Sequence, residues 1–268
     1  MGRIVTGLFL AGGWLLLLLI GSHPLFCLAI TGVAVVALYE FLRMSSPEAE
    51  KKYIPVILII GTLPLAAAAL WGGDALATSL FLTFMLLIVL TVAAFPSLEN
   101  SLLFLSRLWF AVFYIGFCGA HLILLHALTQ GVYWLLFLTA ITAFSDTCAY
   151  YVGRSLGKSK LYPALSPGKT KAGAVGGIIG GMLGGLVVAA FLFTGANLAM
   201  IALLGMLLSV TGIIGDLIES LCKRVAGVKD SGRILPGHGG VLDRCDSLLL
   251  TAPALYYAIY WWQPVLLK

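Results

Sequence analysis

Long uninterrupted apolar runs are the feature of this sequence that most restricts its fold. They recur along the whole chain, in which 61% of the residues are hydrophobic and the mean hydropathy is +1.06. A water-soluble domain needs a polar surface, whereas a helix of about 20 apolar residues spans the roughly 30 Å hydrocarbon core of a bilayer. The sequence therefore predicts an all-α integral membrane protein.

The apolar runs predict a polytopic bundle of about nine transmembrane helices. Segment 102–108 is apolar but contains Arg107, so it is either an interfacial helix or part of a tilted fifth span. We expect the first run to be a retained helix and not a cleaved signal peptide. The predicted spans are 4–20, 25–42, 53–71, 75–95, 109–128, 132–151, 172–194, 198–217 and 245–262.

The positions of the basic residues predict the orientation. With the N-terminus in the cytoplasm, fifteen of the sixteen Lys and Arg residues lie inside and only Lys268 lies outside. This agrees with the excess of positive charge that cytoplasmic loops carry. We expect a multi-pass protein of the cell inner (plasma) membrane with its active site facing the cytoplasm.

Charge is concentrated near the C-terminus, although only 10% of the chain is charged. Segment 215–247 holds five basic residues, five acidic residues and one histidine. Charge placed beside membrane helices is a candidate functional site. We therefore expect N-terminal transmembrane helices over 1–130 and a C-terminal catalytic transmembrane region over 131–268, with cytoplasmic loops at 152–171 and 218–244.

Three carboxylates form a candidate metal site. Asp216 ends the eighth span, and Asp243 and Asp246 open the ninth, three residues apart and so on one helical face. A hard divalent cation with oxygen ligands relieves the repulsion between such acids. We expect Mg²⁺ at this site, and a second metal ion is left open. The alternative to a metal site is that the three acids form salt bridges with neighbouring cations. We interpret Glu219 as a solvated carboxylate.

Basic residues and glycines surround these acids. Topology alone accounts for positive charge in cytoplasmic loops, but here it alternates with acids and glycines in two loops suited to phosphate, SPGKT at 166–170 and PGHGG at 236–240. SPGKT lacks the spacing of a P-loop. The candidate cations are Lys223, Arg224, Lys229, Arg233 and Arg244, with Arg154, Lys158, Lys160, Lys169 and Lys171 in the preceding loop.

Other polar residues lie within the apolar runs. Asp146, near the end of the sixth span, is interpreted as a buried functional acid, with pairing to Arg154 or to a backbone amide as the alternative. His238 is a candidate for orienting phosphate or for acting as an acid, whereas His121 and His126 are interpreted as hydrogen-bonded packing residues. Glu40 is interpreted as a structural ion-pair partner.

Small residues and cysteines have structural interpretations. The glycines of 172–185 predict close helix packing, and a homodimer through that helix is a further expectation. The five cysteines lack CxxC spacing, so we expect buried thiols and neither disulfides nor a zinc site.

The C-terminal half resembles the phosphatidate cytidylyltransferases, also called CDP-diacylglycerol synthases. The resemblance is carried by Ser220-x-x-Lys223-Arg224-x4-Lys229-Asp230-x-Gly232-x3-Pro236-x-His238-Gly239-Gly240-x2-Asp243-Arg244-x-Asp246. It continues upstream in Asp146-x2-Ala149-Tyr150, Gly153-Arg154 and Ser166-Pro167-x-Lys169-Thr170. After SPGKT the family shows an aromatic residue and then Glu or Gln, where this chain has Lys171 and Ala172.

The resemblance implies a metal-dependent nucleotidyltransferase of phospholipid biosynthesis that converts CTP and phosphatidate into CDP-diacylglycerol and pyrophosphate. The implied partners are CTP, phosphatidate and membrane lipid, and no nucleic acid is expected. The expected catalytic residues are Asp216, Lys223, Arg224, Asp243, Arg244 and Asp246, with Asp216, Asp243 and Asp246 as metal ligands. The expected substrate-binding residues are Asp146, Tyr150, Ser166, Lys169, Thr170, Lys229, Asp230, His238, Gly239 and Gly240.

Three rival functions make different demands on the sequence. A transporter or channel for an anionic solute predicts ionisable residues throughout the membrane depth, whereas here they cluster on one side. A CDP-alcohol phosphatidyltransferase would carry a DGxxAR-type run that this sequence lacks. A lipid kinase would need to activate a hydroxyl group of its acceptor.

Overall fold

The chain forms nine helical segments in the residues that the structure describes. A computed structural model describes residues 2–235, 237 and 239–266. The helices are α1 (Gly2–Ile20), α2 (His23–Ser45), α3 (Glu48–Trp71), α4 (Gly73–Ser97), α5 (Ser101–Ala127), α6 (Gly131–Leu156), α7 (Lys171–Leu192), α8 (Leu198–Val225) and α9 (Leu242–Leu266). The segments α2 to α8 are each long and apolar enough to cross a membrane. The predicted all-α polytopic membrane protein is confirmed.

Two helices depart from regular α geometry. The segment α3 opens with a 3₁₀ turn at Glu48–Tyr53 and is interrupted at Thr62, just before Pro64. The segment α5 contains a π-helical stretch at Val112–Phe117. Residues 102–108 belong to the continuous α5, which settles the alternative left open by the sequence in favour of one long helix.

A small hairpin between α6 and α7 departs from the all-helical expectation. Strand β1 (Lys160–Tyr162) pairs antiparallel with β2 (Ser166–Thr170), and Lys160 lies opposite Thr170. The SPGKT sequence is therefore a strand that leads directly into α7. Thr170 caps that helix, because its hydroxyl accepts a hydrogen bond from the backbone N–H of Gly173 at 3.0 Å.

The contacts divide the chain into two compact units. The first consists of 1–128 and 225–245, and the second of 129–224 and 246–268. In the first unit, α5 is the most buried of the candidate spans. Its Leu108, Ile115 and Leu125 are fully buried, whereas outer side chains such as Phe9 and Leu82 are exposed, as expected for lipid-facing positions.

Polar residues in the first unit pack as hydrogen-bonded pairs. His121 Nδ1 lies 2.8 Å from the carbonyl oxygen of Phe117, and His126 Nδ1 lies 2.9 Å from Nδ1 of His23. These contacts confirm the packing role predicted for His121 and His126. Arg107 forms an ion pair with the buried Glu50.

The thiols differ in burial. Cys27 and Cys118 are buried as predicted, whereas Cys148, Cys222 and Cys245 are half-buried.

The second unit depends on the glycines of α7. A Cβ at Gly176 would lie 2.6 Å from Cβ of Val152, and one at Gly184 would lie 2.9 Å from Cβ of Phe144. The missing side chains let the backbones of α6 and α7 approach closely, which is how helices gain packing energy in lipid. The predicted close packing is confirmed. The homodimer contact expected through this helix stays a prediction.

Filling the α6–α7 interface should destabilise the protein. A Cβ at Gly180 would lie 2.5 Å from both Cβ and Sγ of Cys148, whereas one at Gly32 would meet no atom within 4 Å. We expect Gly180→Ala to cost about 1–3 kcal/mol through overpacking, and so to lower the midpoint of thermal unfolding in detergent. Gly32→Ala is the matched control and should not lower the midpoint, because the new Cβ meets no atom and alanine favours a helix over glycine. Equal midpoints for the two variants would contradict this packing arrangement.

Candidate functional site

Three carboxylates meet in the second unit. Asp216 and Glu219 lie three residues apart on one face of α8, and Asp246 lies in the first turns of α9. One oxygen from each lies within 4.8 Å of the others, and Glu219 is only 1% exposed. We call Asp216, Glu219 and Asp246 the acidic cluster.

The close approach of α8 and α9 depends on two glycines of α8. A Cβ at Gly215 would lie 2.6 Å from the carbonyl oxygen of Asp246, and one at Gly212 would lie 3.5 Å from Cγ2 of Thr251. A larger residue at position 215 would push the backbone of α9 away. Gly215 therefore sets the separation at which Asp216 and Asp246 can share a ligand.

Two lysines compensate part of the negative charge. Lys169 of β2 forms an ion pair with Asp216, and Lys223 forms one with Glu219, four residues earlier on α8. Three carboxylates against two ammonium groups leave one excess negative charge among groups that are half-buried or buried. Such a set of oxygen donors suits a hard divalent cation, whose charge offsets both the repulsion and the lost hydration.

A cavity of about 650 Å³ adjoins the acidic cluster within the second unit. Acidic residues, basic residues and glycines all line this cavity. The glycines leave space, and the charged side chains surround it. Arg154 donates a hydrogen bond to the Tyr150 hydroxyl at 3.1 Å. The lining includes Asp146, Tyr150, Gly153, Arg154, Gly157, Lys160, Gly168, Lys169, Thr170, Gly173, Gly212 and Asp216.

The β-hairpin forms one wall of this cavity. A Cβ at Gly157 would lie 2.5 Å from the Thr170 hydroxyl, so the hairpin packs directly on the end of α6. On the other side, Arg224 donates a hydrogen bond from Nε to the carbonyl oxygen of Leu165 at 3.2 Å. These contacts hold Ser166 and Lys169 on a short, anchored strand and not on a free loop.

The loop between α8 and α9 (226–241) belongs to the first unit. The carboxylate of Asp243 accepts hydrogen bonds from the backbone N–H groups of Ser231 at 3.0 Å and Gly240 at 2.7 Å. Gly239 has φ of +85°, a conformation that a residue with a side chain rarely adopts. Lys229 and Asp230 are exposed, and Arg244 is exposed in the first turn of α9. The predicted phosphate-orienting residue His238 lies outside the described residues.

Three interpretations from the sequence are wrong. Glu219 is not solvated but buried in the acidic cluster. Asp146 is not buried but exposed, at the lining of the cavity. Glu40 is buried but makes hydrogen bonds in the described structure, to Ser231 Oγ and to the backbone N–H of Leu242, where an ion pair was expected.

The signal that identifies Glu219 was present in the sequence. Asp216, Glu219 and Lys223 follow an i, i+3, i+7 spacing, which places all three on one helical face. Lys160 is one of the candidate cations, but no helical spacing predicts its position at the cavity. That position depends on the pairing of β1 with β2. The ligand role predicted for Asp243 stays a prediction.

Comparisons with known proteins identify the family of this chain. Residues 1–262 match the model of the cytidylyltransferase family. The phosphatidate cytidylyltransferase of Bacillus subtilis (strain 168) is 36% identical over 270 residues, which cover 96% of each chain. A protein of the same name from Staphylococcus haemolyticus is 34% identical over 258 residues, covering 94% of this chain and 96% of its own.

Both kinds of match extend over nearly the whole chain, including the N-terminal helices that the motifs do not reach. The resemblance of the C-terminal motifs to the phosphatidate cytidylyltransferases is confirmed. This multi-pass membrane protein belongs to the cytidylyltransferase family.

Proposed function

We propose that the protein transfers the cytidylyl group of CTP to phosphatidate, giving CDP-diacylglycerol and pyrophosphate, in phospholipid biosynthesis. The observation that carries the proposal is the acidic cluster, which the Lys169–Asp216 ion pair connects to the 650 Å³ cavity. A site with both carboxylates and cations suits a triphosphate and a phosphomonoester. The names of the similar proteins support the same reaction.

The chemistry requires charge neutralisation more than a base. An oxygen of the phosphatidate phosphate attacks the α-phosphorus of CTP, a new P–O bond forms, and the bond to the bridging α,β-oxygen breaks to release pyrophosphate. With a second pKa near 6, a phosphomonoester is largely dianionic at pH 7 and needs no general base. Cations around the phosphates lower the repulsion between the two anionic reactants.

The acidic cluster has the donor chemistry of a magnesium site. Asp216, Glu219 and Asp246 would hold the ion. The ligand role of Asp243 stays a prediction from the sequence. When bound, the ion would supply positive charge against the phosphates of CTP. The predicted second ion stays an open alternative.

Basic side chains take the phosphate-binding roles in this proposal. Lys169, Lys223, Arg224 and Arg244 offset the charge of the reacting phosphates and of the leaving pyrophosphate. Asp146, Tyr150 and Thr170, which line the cavity, contact substrate there, and Ser166 of the same hairpin is a further predicted contact. The substrate contacts of Lys229, Asp230, His238, Gly239 and Gly240 stay predictions from the sequence.

The membrane setting fits two unlike substrates. We place the site on the cytoplasmic face of the inner membrane, because fifteen of sixteen basic residues then lie inside. The bilayer would hold the acyl chains of phosphatidate while CTP arrives from solution. A homodimer also remains a proposal.

The acceptor lipid distinguishes this reaction from its rivals. With CTP and Mg²⁺, purified protein in detergent should release one pyrophosphate for each cytidylyl group that enters the lipid phase. Phosphatidate should serve as acceptor and diacylglycerol should not, because only phosphatidate brings an anionic phosphate oxygen. EDTA should stop the reaction. Release of free phosphate, or equal activity with diacylglycerol, would instead indicate a hydrolase or a kinase.

Two neighbouring lysines test the role of the ion pair. Lys169 pairs with Asp216, whereas Lys171 is exposed at the start of α7. We expect Lys169→Ala to lower turnover about a hundredfold, or roughly 2.7 kcal/mol, because it removes a cation beside the phosphates. Lys171→Ala makes the same change in charge and should keep turnover within about twofold of the parent, a difference worth roughly 0.4 kcal/mol. Equal losses in both variants would point to net charge and would contradict a specific role for Lys169.

A further inference from the structure

A buried carboxylate from α2 lies against the α8–α9 loop. Glu40 is only 3% exposed, and its Oε2 accepts hydrogen bonds from Ser231 Oγ at 3.2 Å and from the backbone N–H of Leu242 at 3.0 Å. These partners lie 191 and 202 residues away in the chain. All of these residues belong to the first unit. Glu40 thus connects an N-terminal helix to the segment that carries the family motif.

Two glycines of the loop face the Glu40 carboxylate. A Cβ at Gly232 would lie 2.2 Å from Glu40 Oε1, and one at Gly240 would lie 2.4 Å from Oε2. The carboxylate therefore occupies the space that two side chains would otherwise fill. Glu40 therefore explains the glycine at position 232, and Glu40 together with Ser231 Oγ explains the glycine at position 240.

Glu40 and Asp243 hold the same segment from two sides. Ser231 donates its backbone N–H to Asp243 and its hydroxyl to Glu40, while Gly240 donates its N–H to Asp243. The two ends of the 231–242 segment are joined through these two carboxylates. Lys229 and Asp230, both predicted to contact substrate, directly precede the segment.

The Glu40 carboxylate carries both a cost and a benefit at this position. Burial of a carboxylate is costly unless hydrogen bonds compensate for the lost water. Among the described residues, Glu40 Oε1 has no hydrogen-bond partner. An apolar side chain of similar size would avoid that cost but would leave Ser231 Oγ and the Leu242 N–H without their acceptor.

We propose that Glu40 is a positioning residue that holds the α8–α9 loop in the conformation that binds the nucleotide. The proposal rests on the cytidylyl-transfer function proposed above. Glu40 does not touch substrate but acts through Ser231 and Leu242. Loss of the Glu40 carboxylate should release the loop. CTP binding should then weaken more than the turnover of the CTP-bound protein falls.

The first test measures the loop directly and needs no activity. Lys229 and Arg233 are exposed trypsin sites within the loop. In the Glu40→Ala protein, trypsin should cut after these residues at least tenfold faster than in the parent. Glu50→Gln is the matched control, because Glu50 is also a buried carboxylate of the first unit but pairs with Arg107. Its loop should be cut at the parent rate.

The second test separates positioning from general destabilisation. Glu40→Ala should raise the KM for CTP at least tenfold and lower kcat by less than threefold. Glu40→Gln should restore most of the affinity, because its amide oxygen can still accept both hydrogen bonds. If the alanine variant does not fold, Glu40→Asp, which withdraws the carboxylate by one methylene, gives the same comparison.

Non-additivity provides the third test. Gly232→Ala should displace the Glu40 carboxylate and so reproduce the loss seen in Glu40→Ala. In the Glu40→Ala background, the same glycine change should add little, because the group it displaces is already gone. Independent, additive losses would overturn the proposal.

The outcomes for the two proposals are distinguishable. Parent-like trypsin cleavage and KM in Glu40→Ala, with active parent protein, would overturn the positioning role and leave the proposed function standing. A parent protein that makes no CDP-diacylglycerol would overturn the function, while the cleavage rates would still decide whether Glu40 holds the loop.

Discussion

Three carboxylates held within 4.8 Å of one another are the constraint on which the rest of the site depends. Like charges repel, and burial removes the water that would screen them, so Asp216, Glu219 and Asp246 can share a site only if other groups compensate. Lys169 and Lys223 supply part of that compensation. In the proposed function, a divalent cation and the phosphates it binds complete the charge balance.

Glycines, which have no side chain, allow the charged groups to come together. In lipid, helices gain little from hydrophobic burial against each other, so close backbone contact has to supply the packing energy. The glycines of α7 provide this contact with α6, and Gly215 of α8 provides it with α9. The same device recurs at Gly232 and Gly240, which leave room for the Glu40 carboxylate. Glycine placement, more than apolar content, therefore sets the geometry of the charged groups.

The sequence predicts the helices well because the thickness of the bilayer dictates their length. The predicted eighth span ended at position 217, whereas α8 continues to Val225, because a helix can extend beyond the apolar run that predicts it. The prediction for Glu219 is wrong for this reason. Position 219 lies beyond the predicted span and is expected in a solvated loop, whereas α8 includes it. The hairpin at Lys160–Tyr162 and Ser166–Thr170 could not be predicted, since its strands are too short to show a period. The Glu40–Ser231 contact joins residues too distant in the chain for any local pattern to reveal.

Direct metal binding tests the central claim more directly than any rate. Mn²⁺, which accepts the same oxygen ligands as Mg²⁺, can be titrated into the purified protein and followed by electron paramagnetic resonance. The account predicts a bound, broadened Mn²⁺ signal that weakens at least tenfold in Asp246→Asn and in Glu219→Gln. Asp74→Asn, which removes an exposed acid of the first unit, should bind Mn²⁺ like the parent. Unchanged Mn²⁺ binding in both cluster variants would contradict the assignment of the acidic cluster as the metal site.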